Sequence, residues 1–530
     1  MHPPIPRNVR KAITQGAKIT HTEMTTTTPQ GTHPKSPMNQ GCPKQEGTAM
    51  KRTLALFVVL LLLAPLTALH AAETKPNVLF IAMDDLRPWI GAMGFPAAKS
   101  PNFDRLAARS VTFSRAYTAA PWCQPSRTAL LTGLRPSTTG VYAHWDDPWR
   151  ASPKLAKHAT LPQYFRQHGY ETVGAGKIFH HSKASQDPAS WDRYWPSQSQ
   201  CMLDHGLAKP PLSGLNLRRT VDWGPSWLKK TDMPDWKVAD FIVEELAKPQ
   251  DRPRFLACGF YLPHLPWYVP QEYLDRYPLD QVPLPPMKED DLDDIGPYGK
   301  RFALGEGLPN PDDPDDYGSG KGIFETIKTS GKWRESVRAY LASISFADDC
   351  LGRVLDALES SPGGRETIVC LWSDHGWHLG EKQHWEKVTL WEEATRSVLM
   401  ISAPGKKQGV TCERVVNLMD LHPTLIALAG LPPREHLDCR SLLPLLENPA
   451  AEWPHPALIT HGRGNHAMRD ERYRYIRYRN GEEELYDHTR DPNEWTKLAA
   501  DPAQRPIIES LRRHLPKEEA RAITPEFSKK

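Results

Sequence analysis

Asn77-Val78-Leu79-Phe80-Ile81-Ala82-Met83-Asp84-Asp85 is an apolar run that ends in two adjacent carboxylates. A short unbroken apolar stretch is the pattern of a strand buried on both faces, as in parallel sheets. Open α/β sheets bind ligands at the carboxyl ends of such strands. Asp84 and Asp85 therefore stand where a site is expected, and their oxygens suit a hard cation such as Ca²⁺ or Mg²⁺. Outward from this run, the same texture recurs at Val111–Tyr117, Tyr170–Ala175, Arg254–Phe260, Glu366–Trp372 and Val398–Ser402. Helical periodicity separates these runs, over 102–110, 161–168, 235–246, 333–358 and 418–428. Strands alternating with helices predict an α/β fold with a large, mostly parallel central sheet flanked by helices. After about residue 450 the pattern changes to short alternating segments, 457–460, 473–478 and 484–486, then a closing helix over 506–515. That predicts a smaller α+β subdomain with an antiparallel sheet, so the expected division is 73–450 and 451–530.

Chemistry-bearing residues cluster at the predicted strand ends. Cys123-Gln124-Pro125-Ser126-Arg127 follows the second strand and starts a helix, where Pro125 suits the first turn. Cys123 would face the positive end of that helix, which favours a developing anion. The third strand ends in Gly176-Lys177-Ile178-Phe179-His180, and the fourth runs into Tyr261-Leu262-Pro263-His264-Leu265-Pro266-Trp267. The fifth ends in Ser373-Asp374-His375-Gly376, with Leu379-Gly380-Glu381 and Lys387 just beyond. Residues 279–331 are acidic and rich in Pro and Gly, and predict a solvated surface insert.

These motifs, in this order, resemble the type I sulfatases: N-V-L-F-I-x-x-D-D, C-x-P-S-R, G-K-x-x-H, P-H-x-P-W and S-D-H-G-x-x-L-G-E, then E-L-Y-D-H-x-x-D-P in the C-terminal part. The resemblance covers residues 76 to about 500, and the G-K-x-x-H spacing is similar to the iduronate-2-sulfatase branch. Leu262 stands where the family often has Lys or Arg. The resemblance implies an alkaline-phosphatase-like sandwich and hydrolysis of sulfate monoesters. It implies oxidation of Cys123 to formylglycine (3-oxoalanine), whose hydrate offers one hydroxyl to attack sulfur and a second to expel sulfate. A maturing enzyme that makes formylglycine is then an implied partner. The implied metal, Ca²⁺, would be held by Asp84, Asp85, Asp374 and His375 together with residue 123, His375 serving either as a weak ligand or as a contact to the diol. Asp374 would draw a proton from the attacking hydroxyl, and Arg127 would hold the diol. Lys177 and Lys387 would neutralise sulfate charge, His264 would protonate the leaving oxygen, and His180 would deprotonate the second hydroxyl. Trp145, Trp223, Trp267, Arg463, Asn465 and His466 are candidates for contacts to a sulfated sugar, with ordinary packing as the competing account.

The near balance of 66 basic and 63 acidic residues, net charge +3 in 530 residues, gives no footprint for nucleic acid. Residues 1–49 are polar and without hydrophobic pattern, the composition of a disordered extension. Met50-Lys51-Arg52, an apolar run to Leu63 and Ala71-Ala72 then read as a signal peptide over 50–72, too short for a comfortable membrane span. Translation is expected to start at Met50, and the mature chain near Glu73, in a secreted or periplasmic compartment without a transmembrane anchor. Cys258 and Cys370 fall in apolar strands as core thiols, while Cys412 and Cys439 flank a helical stretch and could pair. Two other functions remain open at this stage: a phosphomonoester or phosphonate ester hydrolase on the same fold, and a glycan-binding protein on an inactive scaffold.

Overall fold

The computed structural model describes residues 75–144, 147–180, 186–195, 208–217, 220–306 and 322–523. The expected extension and leader, residues 1–72, and Trp145 lie outside them. At the centre is a nine-stranded mixed sheet. Its order is Arg396–Ser397, Val111–Tyr117, Leu399–Ser402, Ile368–Ser373, Val78–Met83, Arg254–Gly259, Glu171–Gly176 and Arg193–Trp195, and Val410–Asn417 also pairs with Val111–Tyr117. Val78–Met83 runs parallel to both neighbours, and only the pairings of Leu399–Ser402 and Arg396–Ser397 are antiparallel.

The central strand shows why both faces had to be apolar. Leu79, Ile81 and Met83 enter one core, with helices Pro234–Ala247 and Trp333–Ser360. Val78, Phe80 and Ala82 enter the other, with helices Cys123–Thr132, Leu161–Gln167 and Leu421–Leu428. Alternate side chains of one strand thus serve two layers. Cys258 and Cys370 are buried thiols, one in each core.

The C-terminal sheet is antiparallel, in the order Ala457–Thr460, His466–Arg469, Tyr473–Arg477, Glu483–Asp487, with helix Arg505–Arg512 packed on it. The described residues fall in one compact unit that spans both parts. Two expectations need correction. Cys412 and Cys439 are both free: Cys412 Sγ points to the Pro449 carbonyl and Cys439 Sγ to that of Gly133. Nor is the 279–331 stretch, where described, simply a solvated insert. Leu292, Ile295, Phe302 and Ala303 pack against the C-terminal sheet, and Ile323, Phe324 and Ile327 join the main core. The acidic composition hid a few apolar anchors.

Candidate active site

Strand register assembles the site. Met83 pairs with Ser373, so Asp84 and Asp374, the next residue of each parallel strand, leave the sheet abreast. Gly176 pairs with Gly259, which brings Lys177 to the same edge. Gly176 has φ +73°, and a Cβ there would stand 1.8 Å from the Gly259 carbonyl oxygen, so only glycine fits this approach. Helix Cys123–Thr132 begins at the nucleophile position, and Ser126 Oγ donates to the Asp374 carbonyl at 2.6 Å.

Arg127 is wholly buried and ties the centre together. Nε donates to Asp374 Oδ2 and Nη2 to Asp84 Oδ1, each at 2.9 Å, while Nη1 reaches the carbonyls of Lys177 and Ile178. Its planar fork spans two carboxylates at once, which a lysine could not do. Besides the diol contact expected of it, Arg127 has this bridging position. Lys177 Nζ pairs with Asp84 Oδ2 and lies 4.0 Å from Cys123 Sγ. Lys387 Nζ lies 2.7 Å from Asp85 Oδ1 and 3.3 Å from Cys123 Sγ. Lys387 stands between Glu386 and Val388, both in left-handed backbone (φ 81° and 76°), conformations costly for non-glycine residues and concentrated at functional sites.

Asp85 is also left-handed, with φ 61°. Its carbonyl accepts from Tyr340 Oη at 2.8 Å, and its amide donates to Asp374 Oδ1 at 3.1 Å. Tyr340, on the long helix, is a support that no local motif announces. Asp374 Oδ1 also accepts from the His375 amide, so both its oxygens hold hydrogen bonds.

Burial raises the Asp84 carboxyl, but the Lys177 and Arg127 charges outweigh this and hold it well below the usual range. Asp85 goes the other way: burial, with Asp84 and Asp374 adding to it, exceeds the help from Lys387. Burial pushes the Cys123 thiol far up despite both lysines. Burial also holds His375 neutral, with its pKa lowered to about 4. His264, whose Nε2 is 3.7 Å from Asp85 Oδ2, is likewise lowered, first by burial and then by Lys387 and Lys177.

Asp85, Cys123, Asp374 and His375 present ligand atoms within 4.8 Å of one another, as do Asp84, Asp85, Cys123 and His264. The donor set fits a hard dication: oxygen dominates it. A cation would also relieve the crowding that raises Asp85. His375 Nδ1 faces the Gly376 carbonyl at 3.0 Å, the tautomer that leaves an Nε2 lone pair toward the cluster.

Other candidates stand elsewhere. Trp267 is fully buried, its Nε1 donating to the Pro263 carbonyl, and Trp223 is buried in the same core. Neither offers a face to a sugar, which corrects both expectations. Asn465 and His466 are buried in the C-terminal hairpin. Asn465 Oδ1 accepts from the Arg479 amide, and His466 bonds Thr460 and faces Glu519. Arg463 is half-buried beside them. His180 is buried, with its ring 4.0 Å from that of His144.

The sulfatase family model matches residues 76–431. The chain belongs to the sulfatase family. A second model, the N-sulphoglucosamine sulphohydrolase C-terminal region, matches residues 380–521 of this sulfatase. A sulfatase of Formosa agariphila is 38% identical over 467 residues, 84% of this chain and 87% of that protein. The iduronate 2-sulfatase of Mus musculus is 32% identical over 412 residues, covering 68% and 70%. Among solved structures, the phosphonate monoester hydrolase of Agrobacterium radiobacter superposes with a TM-score of 0.66 at 23% identity, over 83% of this chain and 94% of that one. That likeness concerns the fold, which is alkaline-phosphatase-like as expected. The sulfatase is a sulfuric ester hydrolase, and among its described residues no helix is long and apolar enough to cross a membrane.

Proposed function

We propose that this sulfatase removes O-sulfate from uronic acid or other sugar units of a sulfated polysaccharide, in a secreted or periplasmic setting. The likeness to an iduronate 2-sulfatase supports the substrate class. The observation that carries the chemistry is the pair of ammonium groups beside Cys123 Sγ, next to a buried carboxylate cluster. Ca²⁺, held by Asp84, Asp85, Asp374 and His375, would supply Lewis-acid charge to the ester. Formylglycine at residue 123 would supply a hydrated aldehyde able both to attack sulfur and to let sulfate go. A cysteine kept neutral by burial is a poor nucleophile, which favours the modified residue.

The chain's own groups take the remaining parts. Lys177 and Lys387 face the sulfate oxygens and offset negative charge as it builds. Arg127 keeps Asp84 and Asp374 apart at a fixed spacing. His264 gives the leaving oxygen its proton once bound sulfate offsets the Lys387 and Lys177 charges that, after burial, lower it, and His180 takes the proton whose loss releases sulfate.

Four tests address this reading. Mass measurement of the peptide spanning residue 123 distinguishes aldehyde from thiol, and sulfate release should scale with the aldehyde fraction. Cys123→Ser, made in a host unable to mature serine, should fold but not turn over, and full activity in unmodified thiol protein would overturn the mechanism. Chelation should abolish activity and Ca²⁺ restore it, whereas rescue by Zn²⁺ alone would contradict the assigned metal. Comparing an aryl sulfate with the matching aryl phosphate excludes or reinstates the phosphate ester reading.

A further inference from the structure

From His180 a row of rings runs past Cys123, and apart from His180 its members have no part in the chemistry above. Trp122 is the N-cap of the Cys123–Thr132 helix, in extended backbone (φ −151°, ψ 136°), and its side chain makes no capping bond. The indole is half-buried. The His144 ring lies 4.4 Å from it, tilted by 37°, and His144 continues to His180 at 4.0 Å. From the C-terminal sheet side, His461 stands 6.0 Å from Trp122 and 5.2 Å from Phe302. His461 is 4% exposed, and its Nδ1 has no hydrogen-bond partner among the described residues. Aromatic rings in contact are most often plain packing. Three features set these apart: the indole directly precedes the nucleophile position, it is only partly covered, and a buried polar nitrogen beside it is unsatisfied, a state folded proteins avoid unless something else pairs with it.

We propose that Trp122 is the stacking platform for the sugar that leaves when sulfate is transferred, and that His461 supplies a hydrogen bond to a hydroxyl of that sugar. This rests on the sugar-sulfate reading above. A pyranose has an apolar C–H face and a polar rim. An indole matches the face, and an uncharged imidazole matches the rim as donor or acceptor. Burial lowers the His461 pKa to about 3, so the ring stays neutral at working pH. The cations Lys177 and Lys387 gather around residue 123, so sulfate and sugar would be recognised by separate walls of one site.

The test uses matured, metal-loaded wild type, Trp122→Ala, Trp122→Phe and His461→Ala. Substrates are a 2-O-sulfated uronic acid disaccharide and a 6-O-sulfated hexosamine. Because residue 122 borders the modified position, rates are normalised to aldehyde content measured by mass, and folding is followed by circular dichroism. On a sulfated sugar that the wild type hydrolyses, Trp122→Ala is expected to raise KM at least about tenfold with a smaller change in kcat. Trp122→Phe should recover most of that loss, and His461→Ala should raise KM several-fold. Trp122→Ala and Trp122→Phe both matching the wild-type KM would overturn the platform while leaving sulfatase function intact. A fall in kcat alone, with KM unchanged, would overturn it equally, because that marks a structural role. If the wild type cleaves neither sugar yet cleaves an aryl sulfate, the sugar reading fails and the platform fails with it.

Discussion

At the residue scale, Arg127 carries the most consequence. One guanidinium neutralises parts of two carboxylates and ties down two loop carbonyls. Removing one partner of a buried charged set leaves the others uncompensated, at a cost of about 3–5 kcal/mol. Arg127→Lys keeps the charge but loses the fork, so the bridge between Asp84 and Asp374 is weakened. We expect kcat to fall at least about 100-fold, with a lower chelator concentration needed for inactivation. Initial rates and a chelator titration measure both, and an unchanged chelator sensitivity would remove Arg127 from the support of the metal cluster. The resemblance located this arginine and implied a contact to the diol, while its pairing with Asp84 and Asp374 comes from the structure. Its partners come from three strand ends far apart in sequence, so only the folded register reveals them.

At the element scale, the 368–373 strand and the loop after it are held from the C-terminal side. The amides of Gly376 and Trp377 donate to the carbonyls of Ala394 and Glu393, in the short helix Glu392–Thr395. Glu392 in turn accepts from Arg474 and Tyr117, and Glu494 accepts from the Glu392 amide and pairs with Arg474 and His488. Burial works against the Glu392 charge, but His488, Arg474 and Arg469 outweigh it and hold the carboxyl well below its usual range. Arg474→Met should therefore destabilise the fold by about 3–5 kcal/mol. It should also loosen the Asp374 loop, so that thermal melting drops and activity falls before global unfolding. Coincident loss of activity and structure would argue against that coupling. The same scale holds Gly176: Gly176→Ala meets both the left-handed φ and the Gly259 carbonyl, and should cost about 2 kcal/mol or more in chemical denaturation.

At the scale of the whole molecule, pH dependence follows from burial. His378, His384, His422 and His461 are all lowered, chiefly by desolvation, as are His264 and His375 at the centre. A group whose folded pKa is depressed loses its contribution as pH falls, and for an imidazole the loss begins near the unfolded value of 6.5. Each such ring then costs up to about 1.4 kcal/mol per pH unit. Asp85, Asp235, Asp291, Asp348, Asp420, Glu393 and Glu484 oppose this, because burial raises them, Asp235 and Glu393 to about 7 and Asp348 and Asp420 to about 6, and their penalty shrinks as pH falls through their raised values. The six imidazoles all lose from 6.5 downward, whereas Asp348 and Asp420 regain only below about 6, so the melting temperature should be lower at pH 5 than at pH 8. A higher value at pH 5 would mean that the carboxyls dominate.

Local chemistry along the chain dictates the strands and helices, since an apolar run such as 78–83 or an amphipathic stretch such as 333–360 reports its own burial pattern. It also marks Asp84, Asp85, Lys177 and Asp374, because polar residues that follow buried strands must emerge at the sheet edge, whereas Lys387 stands out only through the family resemblance. Tertiary structure decides what those residues touch. Parallel register sets Asp84 beside Asp374, and the long helix brings Tyr340 under Asp85. Packing sends Trp267 and Trp223 into the core, while Trp122 stays partly open beside Cys123. Tryptophan has the same composition at all of these positions. Its exposure depends on neighbours distant in sequence, which no local pattern contains.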